Sequence, residues 1–338
     1  MTATGILATM KISTAIEHWP FTSPFRITGH VFDGIDVLLA TVEHDGLSGR
    51  AEAAGVYYRS ETAAILDEQI RRFAGNGPAA SRQELARALG PGGARNALDC
   101  ALWDLEAKQA RQPVWKLAGL TAIRPLLTTL TLGTDDPGRM AEMATRLVHA
   151  RALKLKLLGD GGDGERVRAV RAERPDVWIG VDANQGFTPD TYHALLPALV
   201  AARVELVEQP FRVERDCDLD HLGSPIPIAA DESVQDREYL ERLVGRVDAI
   251  NIKLDKCGGL TEALALAYAA RRAGMKVMVG NMGGTSLSVA PSYVLGQLCD
   301  LVDLDGPILL ARDRSPAVTY TDGFVACPDE VWGAASAV

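Results

Sequence analysis

Six charged side chains carry the chemistry open to this sequence: Lys154, Lys156, Asp182, Glu208, Asp231 and Lys253. The first two stand out because the chain has only eight lysines against 27 arginines. They sit one residue apart in "ALKLKLLGD" (152–160). In a strand, alternate residues face one side. Both ammonium groups would therefore share a face, opposite Leu153, Leu155 and Leu157. Like charges on one face repel, and burying either is costly.

Asp182, Glu208 and Asp231 are hard oxygen ligands with no His or Cys among them. If they converge at one rim, their repulsion calls for a cation, and the donor set suits Mg²⁺ or Mn²⁺ rather than zinc. A lysine beside a second lysine and a divalent cation loses its proton more readily. Such a lysine can act as a general base. Other readings of single residues stay open: the acids cap loops or pair with arginines, Lys253 pairs with Asp231, or a lysine forms a Schiff base. Taken together, the set describes a metal that binds a carboxylate, with a base on each face of its α-carbon. The metal offsets the charge that builds as the α-proton leaves. Two bases allow racemisation or epimerisation; one base and a β leaving group would give elimination.

The spacing of these residues defines the elements that must hold them. Lys156, Asp182, Glu208, Asp231 and Lys253 follow one another at 22 to 26 residues, and Asn281 and Asp303 continue the series. Each step matches one strand–helix unit. From about residue 125, apolar strands alternate with amphipathic helices: 126–133, 153–157, 177–183, 204–210, 226–233, 248–256, 276–282 and 299–306. Eight such strands predict a parallel α/β barrel, whose active sites lie at the C-terminal strand ends. Parity agrees: Asn251, Lys253 and Asp255 share one face, and Ile250, Ile252 and Leu254 the other. The spacing also predicts a helix over 134–152, capped by Thr134 or Asp135, with Pro137 in its first turn. Its apolar face would be Met140, Met143, Ala144, Leu147 and Val148. Residues 1–120 read as an α+β unit, with a hairpin turning at "HDGLSG". Trp103 and Trp115 read there as packing residues.

The net charge of −9 and pI near 5.3 argue against nucleic acid or an anionic membrane as the main partner. No run of about 18 apolar residues suggests a membrane span. The start, "MTATGILATMKIST", lacks the form of a leader peptide. Five dispersed cysteines without a CxxC read as reduced thiols in a cytoplasmic protein.

With these residues in place, "KLK" (154–156), "VDAN" (181–184), "EQP" (208–210), "ADES" (230–233) and "NIKLDKCGG" (251–259) resemble the enolase superfamily, in its muconate-lactonizing subgroup. The resemblance spans nearly the whole chain. It implies a (β/α)₇β TIM-type barrel over 121–309 and an N-terminal α+β capping domain over 1–120, with 310–338 packing back on the latter. It implies one Mg²⁺, replaceable by Mn²⁺, on Asp182, Glu208 and Asp231. Lys156 and Lys253 become the two acid/base groups, and Lys154 holds the substrate carboxylate and depresses the pKa of Lys156. Asn184, Glu232 and Asn251, inside the same motifs, support the ligand set. "DLDGP" (303–307) resembles the last strand of dipeptide epimerases, where Asp303 and Asp305 would receive a free α-ammonium. The implied reaction is epimerisation at the C-terminal residue of a dipeptide through a metal-stabilised enolate, in L-Ala-D/L-Glu of murein peptide metabolism. Arg26 and His30, after "SPF" (23–25), are the cations that could read the side chain. Homo-oligomeric assembly is common among such proteins. Two other classes of reading remain: another dipeptide epimerase, o-succinylbenzoate synthase, N-acylamino acid racemase or cycloisomerase of the same subgroup, or a non-catalytic binding barrel.

Overall fold

The computed structural model describes residues 10–75, 81–220 and 222–334. The sequence reading of residues 1–9 as free of a leader lies outside the described residues. So do residues 335–338 of the C-terminal segment.

Three antiparallel strands come first: β1 (Lys11–Ile27), β2 (His30–His44) and β3 (Leu47–Ala53), in the order β1-β2-β3. Asp45 and Gly46 turn β2 into β3, both at positive φ, the geometry that favours Asp-Gly in hairpins. The sheet packs on the helix Gly93–Ala110. Gly49 permits the contact, since a Cβ there would lie 2.1 Å from the Ala101 carbonyl oxygen. Trp103 is buried on that helix, and its indole N–H donates to Thr261 Oγ1 at 3.0 Å.

The next strand, β4 (Leu126–Leu127), precedes eight parallel ones: β5 (Leu130–Leu132), β6 (Ala152–Lys156), β7 (Trp178–Asp182), β8 (Leu206–Glu208), β9 (Ile228–Ala230), β10 (Ala249–Lys253), β11 (Lys276–Gly280) and β12 (Leu301–Val302). They pair in chain order from β5 to β12. The Thr129 N–H donates to the Val302 carbonyl at 2.9 Å, joining the two ends into a barrel. Inside, Leu206, Ala229, Ala249 and Met278 form a small apolar cluster with Trp178 and Leu301, separate from the main core. These residues lie on the same strand faces as the charged ones, one layer below them. Gly180 gives that layer room, because a Cβ there would meet the Trp178 ring at 2.5 Å.

Several predicted strands are shorter than expected, 299–306 being reduced to Leu301–Val302, and three elements change in kind or extent for a visible reason. The stretch 126–133 is two strands, because Thr128 and Thr129 bond sideways to the last strand: Thr128 Oγ1 accepts from Leu304 N–H, and Thr129 Oγ1 donates to Asp303. The helix predicted over 134–152 spans only Pro137–Arg146, and Asp136, rather than Thr134 or Asp135, caps it by accepting from Arg139 N–H at 3.1 Å. It stops early because the Arg174 guanidinium takes the carbonyls of Leu147 and Ala150 at 2.6 and 2.7 Å. Val148 is consequently exposed rather than on the packed face. The strand predicted over 248–256 ends at Lys253, and Leu254–Cys257 forms one helical turn.

The last strands, β13 (Thr319–Thr321) and β14 (Phe324–Ala326), form a sheet with β4. The same segment also touches the N-terminal unit. The Ala311 N–H donates to the Pro20 carbonyl, Arg314 pairs with Glu17 and Glu52 at 2.6 Å each, and the Gly333 N–H donates to Asp104.

Candidate active site

Asp182 and Glu208 close β7 and β8, and Asp231 follows β9 by one residue. Adjacent strands in register bring their carboxylates together: one oxygen from each lies within 4.8 Å of the others. All three residues are at most 1% exposed. The backbone past two of these ends is unusual. Asn184, Gln185 and Gln209 all have positive φ. Gln209 holds the next turn in place, its Oε1 accepting from Asp231 and Ser233 N–H and its Nε2 donating to Phe211 O and Ser233 Oγ. The motif "EQP" marked this glutamine, but its role as a brace between two strand ends needs the register to be seen.

Four lysines surround the trio. Lys154 Nζ lies 3.1 Å from Asp182, 2.8 Å from Glu208 and 2.9 Å from Asp303. Lys156 reaches Asp182 Oδ2 at 2.6 Å, and Lys253 reaches Asp231 Oδ2 at 2.6 Å. Lys256, absent from the sequence reading, bonds Asp231 Oδ1 at 2.5 Å. The like-charge pair in "KLK" is thus relieved by an acid for each ammonium. Gly280 leaves space for this: a Cβ there would lie 2.8 Å from Asn251 Oδ1 and 3.0 Å from Lys253 Cε.

The balance of burial and charge sets the protonation states. Burial would raise Asp182, but Lys154 and Lys156 hold its carboxyl below the ordinary range. Burial likewise opposes Lys253 and Lys256 at Asp231, and the lysines win there too. At Glu208, burial and the Asp182 charge prevail and push its pKa to about 7. Glu232 rises to about 8 by burial and the charge of Asp231. Burial would lower Lys253, but Asp231 lifts it above the ordinary lysine value. Lys154 is likewise lifted, because Asp182, Asp303 and Glu208 outweigh its burial.

The donor set fits a divalent cation. Glu208 Oε2 is buried and accepts no hydrogen bond, although Lys154 Nζ is nearby. Glu208 Oε1 accepts from Asn251 Nδ2 at 2.9 Å. Asn184 donates its backbone N–H to Asp182 Oδ1 and its amide to Glu232. These neighbours orient the acids from outside, as partners of metal ligands do.

One cavity opens above the trio. Lys154, Lys156, Lys253, Asp231, Asn184, Glu232, Asp303 and Asp305 line its floor. The N-terminal unit supplies an apolar roof that includes Phe25, Ile27, Phe32, Ile35 and Tyr57. Thr28 Oγ1 pins the tip of the β1–β2 hairpin to the carbonyls of Leu157 and Ala183, just past Lys156 and Asp182. Across Lys154 from the trio, Asp303 accepts from Thr129 Oγ1 and Lys154, and Asp305 Oδ2 accepts from Thr131 N–H at 2.6 Å. The Asp305 side chain caps no turn at Gly306–Pro307. Burial and then the Asp303 charge raise it to about 6.

Register separates the two cationic candidates in the roof. Phe25 pairs with Phe32, Arg26 with Val31 and Ile27 with His30. Paired residues share a face, so His30 shares the face of Phe25, Ile27 and Phe32, but it is exposed at the hairpin tip and does not itself line the cavity. Its ring sits 4.9 Å from that of Tyr57 and 5.8 Å from that of Phe32. Arg26 shares the outer face with Val31 and does not line the cavity.

A cation on the trio stabilises the folded chain by mass action: at about a hundred times its Kd, roughly 2.7 kcal/mol. Added Mg²⁺ is therefore expected to raise the thermal midpoint, and Asp182→Asn to abolish that shift. A shift of unchanged size in the variant would place the ion elsewhere.

Comparison with known proteins agrees with this architecture. Residues 9–119 match the model of the mandelate racemase / muconate lactonizing enzyme N-terminal domain, and 139–331 that of the enolase C-terminal domain-like family. The L-Ala-D/L-Glu epimerase of Escherichia coli (strain K12) is 38% identical over 309 residues, 91% of this chain and 96% of that protein. A solved enolase family member from Agrobacterium tumefaciens with homology to dipeptide epimerases, with sodium and L-Ala-L-Glu bound, superposes with a TM-score of 0.92 at 36% identity. It covers 96% of this chain and is itself covered in full. The dipeptide epimerase of Enterococcus faecalis V583, complexed with Mg and L-Leu-L-Tyr, superposes with a TM-score of 0.85 at 29% identity over 96% of each chain. By fold, by acid trio and by sequence, the chain belongs to the mandelate racemase / muconate lactonizing enzyme family of the enolase superfamily.

Proposed function

We propose that this protein is a Mg²⁺-dependent dipeptide epimerase that inverts the α-carbon of the C-terminal residue. One observation carries the reading: Lys156 and Lys253 reach the acid trio from β6 and β10, four strands apart in an eight-strand barrel, and line one cavity. With a cation held by the trio, a substrate carboxylate bound there would leave its α-carbon between the amine nitrogens of two lysines from opposite walls. Mg²⁺, when held by Asp182, Glu208 and Asp231, supplies the positive charge that offsets the charge building on that carboxylate. One of Lys156 and Lys253, as the neutral amine, would take the α-proton from one face, and the other, as the ammonium, would return one to the opposite face. Lys154, ion-paired with three acids, would hold its place beside the carboxylate rather than move a proton. Asp303 and Asp305 present a second buried acidic group to the cavity, across Lys154 from the trio, where a free α-ammonium would find its counter-charge. An N-acyl substrate would gain nothing there. The relatives named as epimerases of L-Ala-D/L-Glu and of other dipeptides support the same class.

Of the two roof cations, His30, exposed at the hairpin tip with its ring against Phe32 and Tyr57, is the one that would read a carboxylate such as that of a C-terminal glutamate. Among the described residues no helix is long and apolar enough to cross a membrane. The five unpaired cysteines support a reducing, cytoplasmic setting. Homo-oligomeric assembly belongs to the same reading through the family resemblance.

Lys156→Ala and Lys253→Ala are each expected to reduce epimerisation by about 10²- to 10⁴-fold, the usual contribution of a positioned acid/base. In D₂O, each variant should still exchange the α-proton of the one stereoisomer that faces its remaining lysine. Near-normal turnover in either variant would rule out two bases. A second test uses pH. Asp305 must be ionised to accept an ammonium, so kcat/KM should fall as pH drops through about 6. Asp305→Asn should lose about 10- to 100-fold in kcat/KM, the worth of one charge-assisted bond, and lose that acid limb. Equal turnover of an N-acetylated dipeptide would count against the acidic pair. A third concerns the side chain: His30→Ala should raise KM for L-Ala-L-Glu by about 10-fold and leave L-Ala-L-Leu unchanged. Equal effects on both would remove His30 from side-chain recognition.

A further inference from the structure

The turn after β10 contains a fourth lysine that does not line the cavity. Lys256 is 1% exposed. Its Nζ donates to Asp231 Oδ1 at 2.5 Å, to the Asn251 carbonyl at 3.0 Å and to the Asp231 carbonyl. Three acceptors match the three N–H bonds of an ammonium. Lys253 differs. Its one carboxylate contact is Asp231 Oδ2, and it faces the cavity. Asp231 thus has its two oxygens divided: Oδ1 is committed to a lysine that has no free donor, and Oδ2 meets Lys253, which lines the cavity.

The turn that carries Lys256 is itself fixed. The Gly258 and Gly259 N–H groups both donate to the Leu254 carbonyl. Asp255, the neighbouring residue, accepts from the Ala54 and Gly55 N–H groups at 3.0 and 2.9 Å. Arg95 bonds the carbonyls of Cys257 and Gly258. A side chain projecting from so many anchors has little freedom to follow a moving partner.

Resting on the metal reading above, we infer that Lys256 is a positioning residue for Asp231: it locks the carboxylate so that Oδ2 alone is offered to the cation. A plain counter-charge role predicts the opposite sign. Removing a positive charge from beside an acid trio should tighten binding of a divalent cation by Coulomb attraction. Removing a positioning partner should weaken it, by about 10- to 100-fold.

The test is the Mg²⁺ Kd of wild type, Lys256→Met and Lys256→Gln, measured by titration calorimetry. The glutamine keeps an amide donor for the backbone carbonyls and carries the test if the methionine variant does not fold. The expected result is a Kd weakened by about 10- to 100-fold, with kcat recovering to within a few-fold of wild type at saturating Mg²⁺. A Kd that is unchanged or tighter in the folded variant overturns the inference. So does loss of kcat at saturating Mg²⁺ with an unchanged Kd, which would make Lys256 part of the chemistry. Absence of Mg²⁺ binding in the wild type would instead overturn the metal reading itself.

Discussion

Three carboxylates buried within 4.8 Å of one another are the constraint on which this molecule is built. Each buried charge costs several kcal/mol unless it is paired and bonded. The fold meets that cost with four lysines from three places: Lys154 and Lys156 from β6, Lys253 at the end of β10, and Lys256 one turn later. The polar layer has to sit above the apolar plug around Trp178 and Met278, because charges at that depth would find no partner. It also has to lie below a roof, because an open mouth would let water screen the same charges. The β1–β2 hairpin supplies that roof, tied down through Thr28.

The same arrangement divides the lysines by task. Lys154 and Lys256 are saturated by neighbours and hold acids in place. Lys156 and Lys253 each make a single contact to one carboxylate oxygen and face the cavity, so they retain donors for a substrate. Asp303 and Asp305 divide in a similar way. Lys154 and Thr129 keep Asp303 ionised below the ordinary range. Asp305, beside that charge and buried, sits near 6. The cavity floor therefore carries lysines, the acid trio and, across Lys154, a second acidic pair, the charges that the proposed binding of a dipeptide's carboxylate and ammonium would use.

Much of this was legible in the sequence, for a physical reason. Strands have a period of two, and a barrel repeats one strand–helix unit, so from Lys156 to Lys253 a polar residue at each strand end recurs at 22 to 26 residues. With the alternation of apolar strands and amphipathic helices, that spacing points to eight strands and to Asp182, Glu208 and Asp231 at one rim. What was hidden depended on contacts across the chain. Lys256 reads as part of a strand until the turn at Leu254 is seen. Arg26 and His30 are equal as cations in a loop; the pairing of Ile27 with His30, after a bulge between Pro20 and Phe25, separates them. The helix before β6 ends early because Arg174, some thirty residues on, takes its carbonyls. No local propensity signals such a partner.

The central claim is that a dipeptide with a free N-terminus lies across this cavity and exchanges its C-terminal α-proton. The most direct measurement is a panel of L-Ala-L-Xaa dipeptides incubated with enzyme and Mg²⁺ in D₂O, read by mass and by NMR. The account predicts one deuterium at the C-terminal α-carbon of the accepted members and the appearance of both epimers. Absence of exchange in every member, with Mg²⁺ bound, would contradict it.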